Sequence, residues 1–242
     1  MQYKASFCLL TFGQFLTTGL EFIAVIALFY RFGSIHGWSL SQVALLYGIV
    51  GSSFAVADAT CRGFDKFSDI VKRGDFDRYL LRPYSTALQV ASYEVQLLRI
   101  GRLLQAGIVL IWAVWHLNLN IWDIALVGMM LVGTTCTFAG LLILSATLTF
   151  YTVNTPEIVN ALTYGGVETA SFPLSIYPGW LIILFTWVVP LAFSGYYPVK
   201  SMIKSGHLNY LSYVMPLGGI LFLVLSLVIW SIDEKHYAST GS

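Results

Sequence analysis

Hydrophobic positions in this chain fall in long runs, not in the stripes of a soluble amphipathic protein. Six runs stand out: Phe12–Phe32, Ser41–Ala59, Leu104–Leu119, Ile124–Phe150, Gly179–Gly195 and Tyr213–Ile232. About 20 residues of helix cross a hydrocarbon layer roughly 30 Å thick. Lipid offers the backbone no hydrogen-bond partner, so such runs satisfy themselves as helices. No ten-residue segment alternates polar and apolar positions, which argues against a β-barrel. The first run is too long for a removable signal peptide and lacks a small-residue exit. The pattern predicts an all-α integral membrane protein, with residues 1–242 forming a single transmembrane domain of six transmembrane helices.

Composition agrees, and charge adds orientation. The chain is 57% hydrophobic and 10% charged with a net charge of +1, and its mean hydropathy is +0.75. These values lie outside soluble globular norms and give no footing for nucleic acid. With the N-terminus inside, ten cations fall on the cytoplasmic side: Lys4, Arg62, Lys66, Lys72, Arg73, Arg78, Arg82, Arg99, Arg102 and Lys235. Only three, Arg31, Lys200 and Lys204, fall outside. That bias predicts a multi-pass protein of the cell membrane with both termini and loop 61–102 in the cytoplasm. Trp38, Trp112, Trp115, Trp122, Trp180, Tyr196, Tyr197 and Trp230 lie near run boundaries, where a headgroup belt is expected. Cys8, Cys61 and Cys136 have no motif spacing and read as small apolar filler.

One stretch breaks the apolar pattern: IVKRGDFDRYLLRPYSTALQV, residues 70–90. Phe67, Ile70 and Val71 share a helical face, and Gly74 can close that turn in the left-handed conformation. Asp75 is then placed as an N-cap, with Asp77 in the first turn near the positive helix end. Pro83 stops the helix and biases Arg82 toward an extended shape. The prediction is a short stub, Phe76–Leu81, charged on one side and carrying Phe76, Tyr79 and Leu80 on another. Ser85 or Thr86 can cap the next helix. The positive-inside rule accounts for the cations but not for a stopped stub bearing large apolar side chains, which fits a docking element.

The segment GDFDRYLLRP resembles the Gly-x-x-Asp-x-x-Leu-x-Arg-Pro cytoplasmic segment of type-2 ATP-binding-cassette (ABC) transporter permeases. GWSLSQVALLYG (37–48), PLSIYPGWLIILFTWVVPLAFSGYYPVKSMI (173–203) and the ending HYASTGS (236–242) support it. The resemblance implies a type-2 ABC exporter permease fold. Its loop 61–102 would hold the coupling helix, about 75–82, seated in a groove of a cytosolic ABC ATPase dimer. Gly74, Asp75, Phe76, Asp77, Arg78, Tyr79, Leu80, Leu81, Arg82 and Pro83 would make that ATPase-binding surface. The resemblance also implies an extracellular re-entrant region over 194–212. It implies a second permease subunit, a heterodimer being favoured over a homodimer. Met1–Thr11 is short for the surface-lying connecting helix of such permeases.

The remaining chemistry fits transport. There is no G-x-x-x-x-G-K-[ST], so ATP and Mg belong on the partner ATPase and the chain binds no cofactor of its own. No metal spacing and no nucleophile elbow occur, so no catalytic and no metal residues are assigned. His116 and Asp123 sit at a span boundary, where polar residues are ordinary. Glu21 lies midway along the first run and is expected to face the interior or a wet cavity, as a translocation-path candidate or a buried structural carboxyl. Gly48, Ser52 and Ala55 belong to a small-residue stripe suited to close helix packing, within the chain or between copies. Gly133, Thr137 and Gly140 repeat that pattern less completely. These features predict a permease subunit of an ATP-driven exporter of a hydrophobic or amphipathic substrate, rather than an enzyme. An ATPase-independent channel or secondary transporter is the alternative, and a membrane-embedded enzyme the third.

Overall fold

The computed structural model describes residues 4–94, 96–152, 157–204 and 210–237. Local chemistry sets where its helices begin and end. Helix α1 (Lys4–Phe32) runs without a separate surface segment. It ends in a turn with positive φ at Gly33, His36 and Gly37. Helix α2 (Leu40–Thr60) opens on a capping box: the Ser39 amide donates to Gln42 Oε1 at 3.0 Å and the Gln42 amide to Ser39 Oγ at 3.4 Å. Four short helices follow: α3 (Arg62–Asp65), α4 (Phe67–Lys72), α5 (Phe76–Leu80) and α6 (Thr86–Ala91). After α7 (Ile100–His116) comes α8 (Ile121–Thr147), where the Asp123 carboxylate accepts the Asn120 amide at 3.0 Å. Asp123 is therefore a capping group, and His116 lies against the Trp112 ring at 4.4 Å.

The chain continues through α9 (Thr149–Thr152) and α10 (Glu157–Ala170). Next comes α11 (Gly179–Ile183), extended by a π-helical turn, Leu184–Val188. A second π-helical turn, Ala192–Tyr196, leads into α12 (Tyr197–Lys204). Helices α13 (Tyr210–Val214) and α14 (Leu217–Asp233) end the fold. Among the described residues, four helical segments are long and apolar enough to cross a membrane: Ser6–Phe32, Leu40–Thr60, Ile121–Thr152 and Tyr210–His236. The bent pair Gly179–Val188 and Ala192–Ile203 would make five if it counted as one span.

The apolar run expected as the fifth crossing, Gly179–Gly195, an interrupted segment with Pro190 within it, is bent there. Its halves meet at 89°. Pro190 has no amide to donate and disfavours helix at the residue before it, and Val189 is extended there (φ −118°, ψ 99°). Part of 194–212 falls within α12 and α13, and 205–209 lies outside the described residues. Helix α10 was not foreseen, because its sequence carries no apolar run.

Packing arranges the long helices in a row, α1–α7–α2–α8–α14, with α10 against both α2 and α8. Small residues bring the neighbours close. A Cβ on Gly48 would sit 2.7 Å from Leu110 Cβ on α7, and one on Gly51 3.0 Å from Ala106 Cβ. At the α8–α14 crossing a Cβ on Gly219 would come within 1.9 Å of the Gly133 carbonyl, and one on Gly140 within 2.7 Å of the Phe222 ring. Ser52 and Ala55, further along the stripe, are buried as well. Both stripes are thus used inside one chain. Helices α2 and α8 are joined by the Ser53 hydroxyl, which donates to the Leu131 carbonyl at 3.1 Å, and by the Phe54–Phe138 ring pair at 5.2 Å.

The aromatic belt needs one revision. Trp38, Tyr196 and Trp230 are buried, with Trp38 on Tyr196 at 5.8 Å, whereas Trp115, Trp122 and Trp180 are exposed.

Candidate functional site

The charged stretch forms a platform at one end of the bundle, and its geometry starts at Gly74. This glycine has φ +69°. Its amide donates to the Val71 carbonyl at 3.0 Å, and the Asp75 amide reaches the Ile70 carbonyl at 3.1 Å. Those two bonds close α4 in a Schellman motif. The chain reverses, and α5 begins at once with Phe76. Asp75 stands at the N-cap position but caps nothing with its side chain, being helical itself (φ −68°, ψ −20°). Its carboxylate lies 3.9 Å from Arg78 Nη1. Ser85 precedes α6 and likewise makes no side-chain cap.

Helix α5 has two faces. Phe76 is 0% exposed and points into the chain's own aromatic cluster, with Phe67 at 5.1 Å, Phe150 at 5.6 Å and Tyr237 at 4.9 Å. Trp230 of α14 stacks in the same cluster, 4.9 Å from Phe67 and 5.0 Å from Phe150. Burying such a ring contributes about 1.5–3 kcal/mol from transfer, before packing is counted. The opposite face is open. Leu81 is 86% exposed and Leu80, Tyr84 and Leu88 are exposed beside it. Arg78 reaches out with an 80% exposed side chain. Tyr79 is half-buried between the two faces, with the Arg82 guanidinium 5.8 Å from its ring centre. Burial pushes the Tyr79 hydroxyl above its ordinary range.

Two clasps hold the platform. Gln89 Nε2 donates to the Tyr79 and Tyr84 carbonyls, each at 3.0 Å, and so pins the turn around Pro83. Thr86 Oγ1 donates to the Glu234 carboxylate and accepts Trp230 Nε1 at 2.9 Å, which ties α6 to the end of α14. Sequence reasoning missed both: Thr86 and Glu234 lie 148 positions apart, and the Gln89 clasp depends on the shape of the turn at Pro83.

Behind the platform lies an ionic knot that was also missed. Asp58, 1% exposed at the last turn of α2, takes Arg62 Nη1 at 3.1 Å and Arg99 Nε at 2.7 Å. Arg62 also binds Asp65 at 2.6 Å and donates to the Tyr164 hydroxyl of α10 at 2.7 Å. Burial pushes the Asp65 carboxyl above its ordinary range against the opposing pull of Arg62 and Tyr164. Two cations counted for topology therefore have internal partners. The i,i+4 spacing of Asp58 and Arg62 was the available signal.

Glu21 lies away from this end. The inward stripe of α1 is Thr18, Phe22, Val25 and Phe29, and Glu21 occupies its flank, exposed on the single chain. Arg102 and Glu168 are close enough to act on it electrostatically. The expectation of an interior carboxyl is not met within one chain. Among the described residues no cluster of His, Cys, Asp or Glu could hold a metal ion.

An all-helical bundle with membrane-length apolar helices and a clasped polar platform at one end defines a polytopic membrane subunit. A family model described as ABC-2 family transporter protein matches residues 15–241. The chain belongs to that family, and is the ABC-2 type permease component of an ABC transporter. No curated protein and no solved structure matches it.

Proposed function

We propose that this permease exports a hydrophobic or amphipathic substrate, driven by a separate cytosolic ATPase that seats on the open face of α5. The observation carrying this reading is the division of α5 into two faces. Phe76 fixes the stub to α14 and α9, so a push on Leu80 and Leu81 is delivered to the bundle rather than lost in a loose loop. The exposed pair Leu80–Leu81, rimmed by Arg78 and Arg82, has the apolar centre and charged edge of a protein-docking patch.

In this reading both termini and residues 61–102 are cytoplasmic, two permease subunits work with two ATPases, and a related second permease is the favoured partner. ATP and Mg stay on the ATPase. Crossings are assigned to α1, α2, α7, α8 and α14, and the sixth is taken to be the 14-residue α10 in place of Gly179–Gly195. Trp230 near the end of α14 meets the platform end, while Tyr196 of the bent pair lies against Trp38, which precedes α2 at its other end. The pair, Gly179–Ile203, is then a re-entrant element, covered by protein where its backbone is irregular.

The test separates the faces. Leu81→Ala should weaken ATPase copurification about tenfold or more, as loss of a docking anchor does, with unchanged permease folding. Phe76→Ala should instead lower permease stability. Retention of full ATPase binding and transport after replacing 77–82 by a Gly-Ser linker would refute the coupling role.

A further inference from the structure

Helix α14 is gripped near both of its ends, by different chemistry at each. At the platform, the Thr86 hydroxyl uses both its proton and a lone pair: it donates to the Glu234 carboxylate and accepts Trp230 Nε1 at 2.9 Å. Trp230 is 1% exposed and packs on Phe64 at 5.4 Å and Phe67 at 4.9 Å. Thr86 opens α6, and Gln89 of the same helix donates to the Tyr79 and Tyr84 carbonyls at 3.0 Å. The stub, the Pro83 turn, α6 and the end of α14 are therefore joined by directional bonds.

The other end of α14 enters a junction of small residues. A Cβ on Gly219 would come within 1.9 Å of the Gly133 carbonyl and 2.6 Å of Thr137 Oγ1. A Cβ on Gly218 would meet Phe193 Cβ, in the second π-helical turn, at 3.6 Å. Next to Phe193, the Ser194 hydroxyl lies 3.5 Å from that of Thr137, and both residues are 0% exposed. Helices α8 and α14 and the bent pair thus meet in one place. From Gly218 to Trp230 is 12 residue steps, about 18 Å of helix. Over that length Leu221, Val224, Leu225 and Val228 are exposed on the chain, and α14 leans chiefly on α8. Apolar contact is non-directional, so the helix can tilt along α8 while its two ends stay attached.

We infer that α14 carries displacement of the stub to the bent pair, and that Thr86 is the positioning residue that locks this helix to the stub. A push on α5 moves α6 through Gln89, and Thr86 hands the movement to Trp230 and Glu234. A rod held there and gripped at Gly218 and Gly219 moves Phe193 and Ser194 with it. Small shifts at packed helix contacts switch between discrete arrangements, and the junction is the contact that switches. The inference rests on the coupling reading of α5 and specifies where the push goes.

Labelling of the permease alone tests the route. The full chain, in a background without Cys8, Cys61 and Cys136, is placed in nanodiscs and treated with N-ethylmaleimide. Ser194→Cys puts a thiol inside the junction, where it meets the reagent only when the junction opens. Ala113→Cys, at a position 0% exposed on α7, reports general loosening. Thr86→Val keeps the side chain's shape but neither donates nor accepts. It should speed labelling at position 194 about tenfold, the size expected for losing a charge-assisted hydrogen bond, and leave position 113 unchanged. Thr86→Ser should restore the original rate. Glu234→Ala removes the acceptor alone and should act as Thr86→Val does, so it decides the matter if Thr86→Val folds poorly. An unchanged rate at position 194, or equal acceleration at position 113, overturns the inference.

With the copurified ATPase present, ATP should alter labelling at position 194. Thr86→Val should abolish that response while leaving ATPase copurification intact; a full ATP response in this variant also overturns the inference. Leu81→Ala acts on copurification and not on the rates of the permease alone. Failure of the coupling reading and failure of the α14 route therefore give different results.

Discussion

Asp58→Asn removes one charge from the ionic knot and keeps the side chain's shape. The carboxylate accepts a hydrogen bond from Arg62 at 3.1 Å and is ion-paired with Arg99 at 2.7 Å, while only 1% exposed. Charge-assisted contacts of this kind are worth about 1.5–3 kcal/mol each, and breaking a buried pair usually costs about 3–5 kcal/mol because the partner is stranded. The guanidiniums are 18% and 21% exposed, so water recovers part of the loss. Asparagine also keeps one acceptor oxygen. The expected cost is therefore about 2–3 kcal/mol, a large share of a typical 5–15 kcal/mol stability. Arg99→Gln should cost less, since Arg62 still neutralises Asp58. The double variant should cost less than the two singles added, with a coupling of about 1–3 kcal/mol. Unfolding in mixed micelles, followed by tryptophan fluorescence, reads all four corners of the cycle. Additivity within about 0.5 kcal/mol would mean the two residues do not interact, and the knot would lose its claim to join α2 to the start of α7.

Gly219→Ala should prevent folding or assembly, since its Cβ would come within 1.9 Å of the Gly133 carbonyl; Gly128→Ala, with nothing within 4 Å, should be neutral or stabilising by up to about 1 kcal/mol. Folded yields by fluorescence-detected gel filtration compare them directly. The folded Asp65 carboxyl titrates above its unfolded value, so its stabilising contribution is full below the unfolded value and is lost as pH rises through the folded one. Melting midpoints taken from about pH 4 to pH 7 should thus fall more for the wild type than for Asp65→Asn, whose side chain does not titrate. In a background without Cys8, Cys61 and Cys136, a cysteine replacing Trp180 should react with an impermeant maleimide on intact cells. One replacing Arg78 should react only after permeabilisation; the reverse pattern would invert the proposed topology.

The sequence made the long apolar helices readable because lipid imposes one demand on them, an internally bonded backbone. Phe12–Phe32 and Ser41–Ala59 needed nothing further. Gly74 was equally plain, since a basic helix end before a glycine and two aspartates leaves few alternatives. The failures have a common cause. Helix α10 carries Glu157, Asn160, Thr163, Gly165, Gly166 and Glu168 in 14 residues, so a search for apolar runs passes over it. It packs on α2 and α8, and its Tyr164 hydroxyl meets Arg62 and Asp65. Pro190 marked an interruption within its apolar stretch, but the sequence could not give the angle of the bend. The role of Phe76 could not be separated from that of Leu81 in the sequence, because both are large apolar residues on one short stub. Only the cluster formed with Phe150 and Trp230, 74 and 154 positions away, distinguishes them.

That separation bears on how such a subunit can diversify. Phe76 anchors the stub within the folded core, while Arg78 and Leu81 stand outside the aromatic cluster. Mutations can therefore accumulate on the outer surface without a folding penalty, and a duplicated copy could acquire a different energy-supplying partner in a few steps. Its fidelity to one partner would then be set by three or four outward side chains, free to drift together with the surface they meet.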